Sequence, residues 1–281
     1  MVSNLKAPEL VKLRPKLTFA TDVFDLGMTI ITENISRFRK KSFYDALLKG
    51  EHPSEWKTAS GIPSDKAGDM FWDVVCKCLS LNPNDRPSAS EVSAIMRTVC
   101  QLSGWVTPYL LGWKGSNLIA AIKTVVQGSL RLVVGEDTSI HDLVAHFERR
   151  GLVNYTDLVN SVDRTAVESV ADTALANVYR YRFELQNNQA VAVKRVKHNT
   201  TYKRLKRAAR ELDCWSSHIH ENILPNLGFA IMGADLAMVS PWMGNGCTTD
   251  YVVRNPNCNR LALCVQLADV IAYLHENNAV W

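Results

Sequence analysis

The sequence has no long hydrophobic run and no apolar N-terminal leader. The longest uncharged stretches, such as GSNLIAAI at 115–122, are far shorter than the roughly 20 apolar residues that cross a bilayer. The first 17 residues, MVSNLKAPELVKLRPKL, have no apolar run between their charges, so a secretory signal is not expected. These absences predict a cytoplasmic protein with no membrane partner.

A strong excess of charge and a regular cysteine spacing are also missing. The net charge is +4, from 32 Lys and Arg against 28 Asp and Glu, which is too small to predict a nucleic-acid partner. The seven cysteines are irregularly spaced, which is typical of reduced thiols rather than of a disulfide framework. Cys76 and Cys78 lack the gap of a zinc hairpin, so we predict no metal site.

What the sequence does have is enough apolar content for a core and three zones of different pattern. Hydrophobic residues make up 47% of 281 residues, as in ordinary globular proteins. The zone 1–102 has helical periodicity, with an amphipathic segment at 65–81 and a capping box, Ser88 with Glu91, that starts another helix. Met70, Val74, Val75 and Cys78 fall at helical spacing in the first of these helices, and we expect the second to bury Val92, Ile95, Met96 and Val99.

The remaining two zones are a connector and a mixed region. The residues 103–137 are rich in glycine and predict a linker. In 138–281 we predict a helix at 139–151 ended by Gly151, a hairpin at 177–196 turning at two asparagines, a helix at 201–217, and short strands at LGFAI and LAMVS. A long helix at 259–277 follows, with Leu263, Leu267, Val270, Ile271 and Leu274 on one side.

One constellation in the third zone carries chemistry. A strand that ends in a lysine, Val191-Ala192-Val193-Lys194, precedes a helix that bears Glu211. A rigid strand can present an ammonium group to a polyphosphate, and a carboxylate can hold that ammonium in place. A lysine on a strand is more often a solvated surface residue, so the neighbouring motifs decide the interpretation.

Those neighbours resemble the small lobe of a protein kinase. AVAVKRV, ARELDCWSSHIHENILPNLGF and MVSPWMGNGCTTDYV are similar, in order, to its third strand, its C-helix with the following strand, and its hinge. The resemblance is closest to the tyrosine-kinase-like group, as expanded in mushroom-forming fungi. It implies an α+β fold, ATP as ligand, and a candidate nucleotide site. Its residues are Val178, Ala192, Lys194, Glu211, Ser240 as gatekeeper, Pro241 and Met243.

The first zone resembles the end of a kinase large lobe. Ala7-Pro8-Glu9, FATDVFDLGMTI and NPNDRPSASEV are similar to the end of the activation segment, the F-helix and the last helices. The resemblance implies a buried ion pair between Glu9 and Arg86 and a bracing role for Asp22. We therefore predict a large-lobe fragment at 1–102, a linker at 103–137, and a small lobe with the E-helix at 138–281.

The sequence departs from the family where phosphate is handled. The three glycines of the phosphate loop are replaced by Ala171, Thr173 and Ala176, whose side chains obstruct the approach of backbone N–H groups to phosphate. The 281 residues contain no catalytic-loop Asp with its Asn and no D-F-G. We therefore predict no catalytic residue, no metal site, and weak nucleotide binding that does not need Mg²⁺.

Three hypotheses follow from the sequence. The chain is an inactive piece of tandem kinase domains; or it is a pseudokinase interaction module whose partner is another protein kinase or signalling protein; or it belongs to an active serine/threonine or dual-specificity kinase that continues beyond Trp281. The basic run KRLKRAAR at 203–210 is interpreted as the exposed face of the C-helix rather than as a nucleic-acid surface.

Overall fold

The computed structural model describes residues 7–11, 16–34, 45–49, 57, 62–103, 132–163, 167–182 and 190–280. Most of the predicted linker and the predicted asparagine turn of the hairpin lie outside these residues. The described residues form two compact units. We call residues 7–103 with 245–280 the helical unit, and residues 132–244 the sheet unit.

The secondary structure is mixed α+β, which confirms the predicted fold class. The helices are α1 Phe19–Asn34, α2 Lys66–Cys78, α3 Ala89–Leu102, α4 Ile140–Arg149, α5 Thr156–Ser161, α6 Thr201–Ser217, α7 Thr248–Arg254 and α8 Arg260–Glu276. The strands are β1 Val153–Asn154, β2 Glu168–Asp172, β3 Ala176–Arg182, β4 Ala190–Val196, β5 Gly228–Met232 and β6 Asp235–Pro241. Short 3-10 turns lie at Pro8–Val11 and Pro83–Asp85.

Local capping explains where several helices begin. Ser88 and Glu91 form the predicted capping box at the start of α3, and Ser139 with Asp142 forms another at the start of α4. Each box satisfies two backbone N–H groups that the first helical turn would leave unpaired. Gly151 follows α4 with φ +78°, in the left-handed region that glycine enters without strain.

The core of the helical unit is built from α1, α2, α3 and α8. In the first three helices it buries residues such as Phe24, Phe71 and Met96. Val92 and Val99 are buried as predicted, whereas Ile95 is only partly buried. Gly27 allows α1 to approach α2 closely, because a Cβ atom there would lie 2.8 Å from the Cβ of Cys78.

The predicted apolar side of α8 is confirmed in part. Val270, Ile271 and Leu274 are buried, and Leu267 packs partly buried against the core, whereas Leu263 is only partly buried and lies outside this cluster. Smaller side chains that the prediction did not include also face the core. Small residues allow the backbone of α8 to lie close to α3 and α1, which a row of leucines would prevent. The contributing residues are Cys264, Val265, Ala268, Ile271 and Ala272.

The sheet unit contains a sheet of six strands among its described residues, in the order β1-β5-β6-β4-β3-β2. Every neighbouring pair is antiparallel except β1 with β5, which is parallel. The sequence predicted antiparallel strands only, and β1 and α5 were not predicted. The first residue of β5, Gly228, must be a glycine, because a Cβ atom there would lie 2.1 Å from the carbonyl oxygen of Val153 in β1.

Both faces of this sheet are covered. On one face, Phe229 and Met238 pack with Leu212 of α6 and Phe147 of α4. On the other face, a second cluster packs Val159 of α5 against two residues each of β4 and β6 and one residue each of β3 and β5. Its strand residues are Tyr181, Val191, Val193, Ala230, Ala237 and Val239. The sheet therefore holds its side chains in fixed positions from both sides.

Candidate nucleotide site

The register of the central strands brings the predicted site residues onto one face of the sheet. Val178 of β3 is paired with Lys194 of β4, and Ala192 is paired with Ser240 of β6. Directly paired residues of antiparallel strands project to the same face, and so do residues two apart on one strand. Val178, Ala192, Lys194 and Ser240 therefore share the face that α6 covers.

Lys194 and Glu211 are brought together as the resemblance implied. The Lys194 ammonium forms an ion pair and hydrogen bond with Oε1 of Glu211. Helix α6 is anchored to the sheet by Leu205, Ala208, Ala209 and Leu212, all buried, and this orients the neighbouring Glu211 toward β4. The two side chains remain 37% and 34% exposed, so a ligand can reach the ammonium.

The residues of the predicted hinge lie at the end of β6 and directly after it. Ser240 is buried, with 4% of its surface exposed. The Trp242 N–H donates to the Ala190 carbonyl at 3.0 Å, so the backbone of Trp242 faces β4. Because hydrogen-bonding directions alternate along a strand, the Pro241 carbonyl faces away from β4. Within the described residues, the Met243 N–H has no hydrogen-bond acceptor.

The missing N–H of Pro241 therefore removes no hydrogen bond of the β4–β6 ladder. The Pro241 carbonyl can accept and the Met243 N–H can donate, which are the two groups that the edge of an adenine ring requires.

The sequence did not predict that Arg180 lies at the hinge. Its guanidinium carbon lies 5.0 Å from the centre of the Trp242 ring, in a cation–π arrangement. One terminal nitrogen also approaches Glu168 of β2 at 3.5 Å. The contact joins β3 to the residue that follows β6. The sequence shows only that Arg180 and Trp242 are present. It does not show that the two side chains meet.

Cys214 lies one helical turn after Glu211. The pKa of its thiol is raised, first because burial disfavours the thiolate and second because of the negative charge of Glu211. A raised pKa lowers the fraction of reactive thiolate at neutral pH. Cys214 is therefore not a candidate nucleophile for this site.

In the helical unit the structure brings Glu9 and Arg86 together. Nη1 of Arg86 lies 2.5 Å from Oε1 of Glu9, and Nη2 lies 2.9 Å from Oε2. The guanidinium also donates to the carbonyls of Ala20 and Ser80, each at 2.8 Å. The Arg86 side chain is fully buried, so this bidentate pair joins the Ala-Pro-Glu turn to the start of α3.

Asp22, the third predicted structural residue, lies in α1 and is 4% exposed. Its Oδ2 lies 3.0 Å from Nε2 of His275, near the end of α8. The His275 ring also stacks on Phe19, with 4.3 Å between ring centres. The sequence did not single out His275, which together with Asp22 links the first and last helices of this unit.

The described residues contain neither a cluster of metal ligands nor a membrane-crossing helix. Among those residues, no group of three or more His, Cys, Asp or Glu side chains is placed to hold a metal ion. None of the helices in the described ranges is long and apolar enough to cross a membrane.

The sheet and its ion pair are consistent with one class of protein. A six-stranded, mainly antiparallel sheet whose lysine meets a helix glutamate, within a mixed α+β protein, is consistent with a protein kinase-like fold. Comparison by sequence agrees with this class. Residues 165–281 match the family model of protein tyrosine and serine/threonine kinases, and the match supports a place in the protein kinase superfamily.

Curated proteins that are similar to this chain include receptor kinases from Arabidopsis thaliana. Wall-associated receptor kinase-like 14 is 34% identical over 102 residues, which cover 34% of this chain and 14% of the relative. Two L-type lectin-domain containing receptor kinases are 28% and 30% identical, each over 34% of this chain and 15% of the relative. The chain therefore spans about one seventh of the length of these relatives.

Proposed function

We propose that this chain is a kinase-like protein whose sheet unit binds an adenine nucleoside or nucleotide, and that its 281 residues do not transfer phosphate. The observation that carries the first half is the ion pair of Lys194 with Glu211, on the same face as Val178, Ala192 and Ser240. Because the match to the kinase family model includes these residues, and kinases use ATP, the site has both a suitable geometry and a suitable ancestry.

The site residues have distinct proposed roles. Val178 and Ala192 form the apolar surface against the adenine ring, and the hinge backbone at Pro241 and Met243 makes the hydrogen bonds to its edge. Ser240, as the small gatekeeper, leaves room behind the ring. Lys194, held by Glu211, supplies the positive charge nearest to any phosphate.

The proposed lack of turnover rests on what the sequence does not contain. Phosphoryl transfer needs a group that positions the acceptor hydroxyl and groups that hold Mg²⁺ against the phosphates. In kinases these are the catalytic-loop Asp and Asn and the Asp of D-F-G, and none of these motifs occurs in the 281 residues. Electrostatic stabilisation is usually the largest catalytic contribution, so its loss outweighs any remaining binding.

We extend the proposal to the rest of the chain. Residues 1–102 are proposed to be a kinase large-lobe fragment, 103–137 a linker, and 138–281 a small lobe with its E-helix. The bidentate pair of Arg86 with Glu9 and the contact of His275 with Asp22 support this assignment. The ancestry in the tyrosine-kinase-like group of mushroom-forming fungi, a cytoplasmic location and a tandem-kinase origin belong to the same proposal.

Binding of adenosine and ATP by isothermal titration tests the first half. We expect measurable binding of adenosine, abolished by Ala192→Phe, because the larger side chain fills the space of the adenine ring. Lys203→Phe is the matched control, since Lys203 is exposed on α6 outside the site. Absence of adenosine binding to a folded protein would overturn the proposed nucleotide site.

Incubation with radiolabelled ATP, Mg²⁺ and a generic protein substrate tests the second half. We expect no transfer above background. Transfer that disappears in a Lys194→Met variant would refute the proposed inactivity and favour an active kinase. Sequencing of the full-length transcript distinguishes an active kinase that continues beyond residue 281 from the pseudokinase and fragment hypotheses.

A further inference from the structure

The turn between β2 and β3 occupies the place where a kinase cradles phosphate, and its backbone is already engaged. The hydroxyl of Thr173 accepts hydrogen bonds from the N–H of Leu175 at 3.3 Å and of Ala176 at 3.1 Å. The same hydroxyl donates to the Ala176 carbonyl at 3.0 Å, and so does the N–H of Thr173, also at 3.0 Å. We call these four hydrogen bonds the Thr173 clip.

The turn is also fastened to the end of β4. The N–H of Lys197 donates to the Leu175 carbonyl at 2.8 Å, and the Lys197 ammonium forms an ion pair with Asp172. The Asp172 carboxylate thus adds a negative charge directly before the turn. It also engages Lys197, whose backbone N–H is bonded to the turn.

A phosphate cradle requires the opposite arrangement. Backbone N–H groups that bind phosphate oxygens point outward, with no partner of their own, and glycine lets the oxygens come close. Here the N–H groups of Thr173, Leu175 and Ala176 already donate to atoms of the turn. Breaking such a hydrogen bond to make one with phosphate is an exchange, and exchanges of this kind contribute little net free energy.

Two cationic side chains on this face come from β3 and β4. Arg180 lies at the hinge end, against Trp242 and Glu168, which leaves the Lys194 ammonium for a phosphate. It is shared with Glu211, whose negative charge offsets part of its attraction. The Thr173 clip does not involve the apolar surface at Val178 and Ala192 or the hinge. The base and ribose can therefore contact these residues, whereas few unpaired hydrogen-bond donors are left for the phosphates.

We infer that this site, which rests on the nucleotide-binding function proposed above, recognises the nucleoside part of its ligand and is nearly indifferent to the phosphates. Its ligand class is the adenine nucleosides, with adenosine, ADP and ATP binding about equally. Thr173 determines this specificity because its hydroxyl engages the N–H groups that would otherwise read the phosphates.

The test is a titration of the full chain with adenosine, ADP and ATP, without and with Mg²⁺. In the wild-type protein we expect the three dissociation constants to agree within about threefold, since the phosphates gain no new strong hydrogen bond. ATP that binds more than about tenfold tighter than adenosine would overturn the inference, because one added charge-assisted hydrogen bond is worth that much.

A pair of variants tests the role of Thr173 itself. Thr173→Gly opens the clip, and we expect ATP to gain about tenfold over adenosine. Thr173→Ser keeps the hydroxyl and should leave the ratio at its wild-type value. An unchanged ratio in Thr173→Gly would overturn the role of the clip. The absence of adenosine binding in the wild-type protein would instead overturn the proposed function, so the two failures are distinguishable.

Discussion

The two units each contain a predicted ion pair, and the two pairs differ in how many hydrogen bonds the cation makes. In the helical unit, the buried Arg86 guanidinium donates to both oxygens of Glu9 and to two carbonyls. It also lies 4.9 Å from the centre of the Phe24 ring. In the sheet unit, the half-exposed Lys194 ammonium has three N–H donors, and within the described residues its hydrogen-bond partner is Glu211.

The difference lies in the hydrogen-bond donors of the two cations. The fork of an arginine suits a fixed, fully satisfied position, whereas lysine is a mobile point charge with three donors. The pair of Arg86 fixes the geometry of the helical unit, whereas the pair of Lys194 stays partly exposed to solvent. The first pair should therefore matter more for stability than the second.

The largest expected effect is on the buried pair. Arg86→Met removes the buried cation opposite the Glu9 carboxylate and a donor to the carbonyls of Ala20 and Ser80, so the helical unit should lose about 3–5 kcal/mol of unfolding free energy. Urea unfolding followed by circular dichroism measures this. Arg97→Met is the control, because the Arg97 side chain is 58% exposed and should cost at most about 1 kcal/mol. Equal costs for the two variants would contradict the comparison.

The next largest effect is expected from overpacking the core of the helical unit at α8. Ala268 is fully buried between α8 and its neighbours, and Ala268→Leu forces extra volume into that core. We expect a loss of about 1–3 kcal/mol, seen as a lower melting temperature of the helical unit. Gln266→Leu, on a less buried position of the same helix, should change it little. A neutral Ala268→Leu would exclude α8 from this core.

A smaller effect is expected from the loss of a helix capping box, which can be measured in each unit. Ser88→Ala and Ser139→Ala each remove a capping box, at an expected cost of about 0.5–2 kcal/mol. Hydrogen exchange of the amides should show the first loss in α3 and the second in α4. Ser90→Ala removes a serine that caps no helix and serves as the control. Equal loss of protection in both units from one variant would show that they unfold together.

The smallest effect on stability is expected for the exposed pair. Lys194→Met removes an ion pair that water screens, so the unfolding free energy measured in urea should change by at most about 1 kcal/mol. Lys203→Met, on the exposed face of α6, is the matched control. If Lys194→Met lowered the unfolding free energy as much as Arg86→Met, the two ion pairs would contribute equally to stability, and the comparison would be contradicted.

The sequence predicted the elements whose signals are local. The capping box at Ser88 marked the start of α3, Gly151 marked the end of α4, and the β-rich runs around 177–196 identified β3 and β4. These features depend on residues within one or two turns of each other, so no tertiary information was needed.

What the sequence could not predict depends on distant contacts. The strand β1 has two residues and α5 has six, which is too short for a periodic pattern to show. In α8 apolar residues lie on several sides, so their spacing did not reveal that Ala268 faces the core.

In the candidate site, Lys194 and Glu211 were predicted from the family resemblance. The Thr173 clip and the contact of Arg180 with Trp242 depend on a turn conformation and a strand register. Neither can be derived from residue spacing, so both became visible only in the structure.

The position of α8 has a consequence for synthesis on the ribosome. The helices α1 to α3 are complete once Leu102 has been made, but the side chains that close their core arrive only with Arg260–Glu276. At usual translation rates this interval lasts on the order of ten seconds. During that time the apolar face later covered by α8 is open to solvent, so a chaperone that binds exposed apolar helices should associate with nascent chains in that length window and leave when α8 emerges.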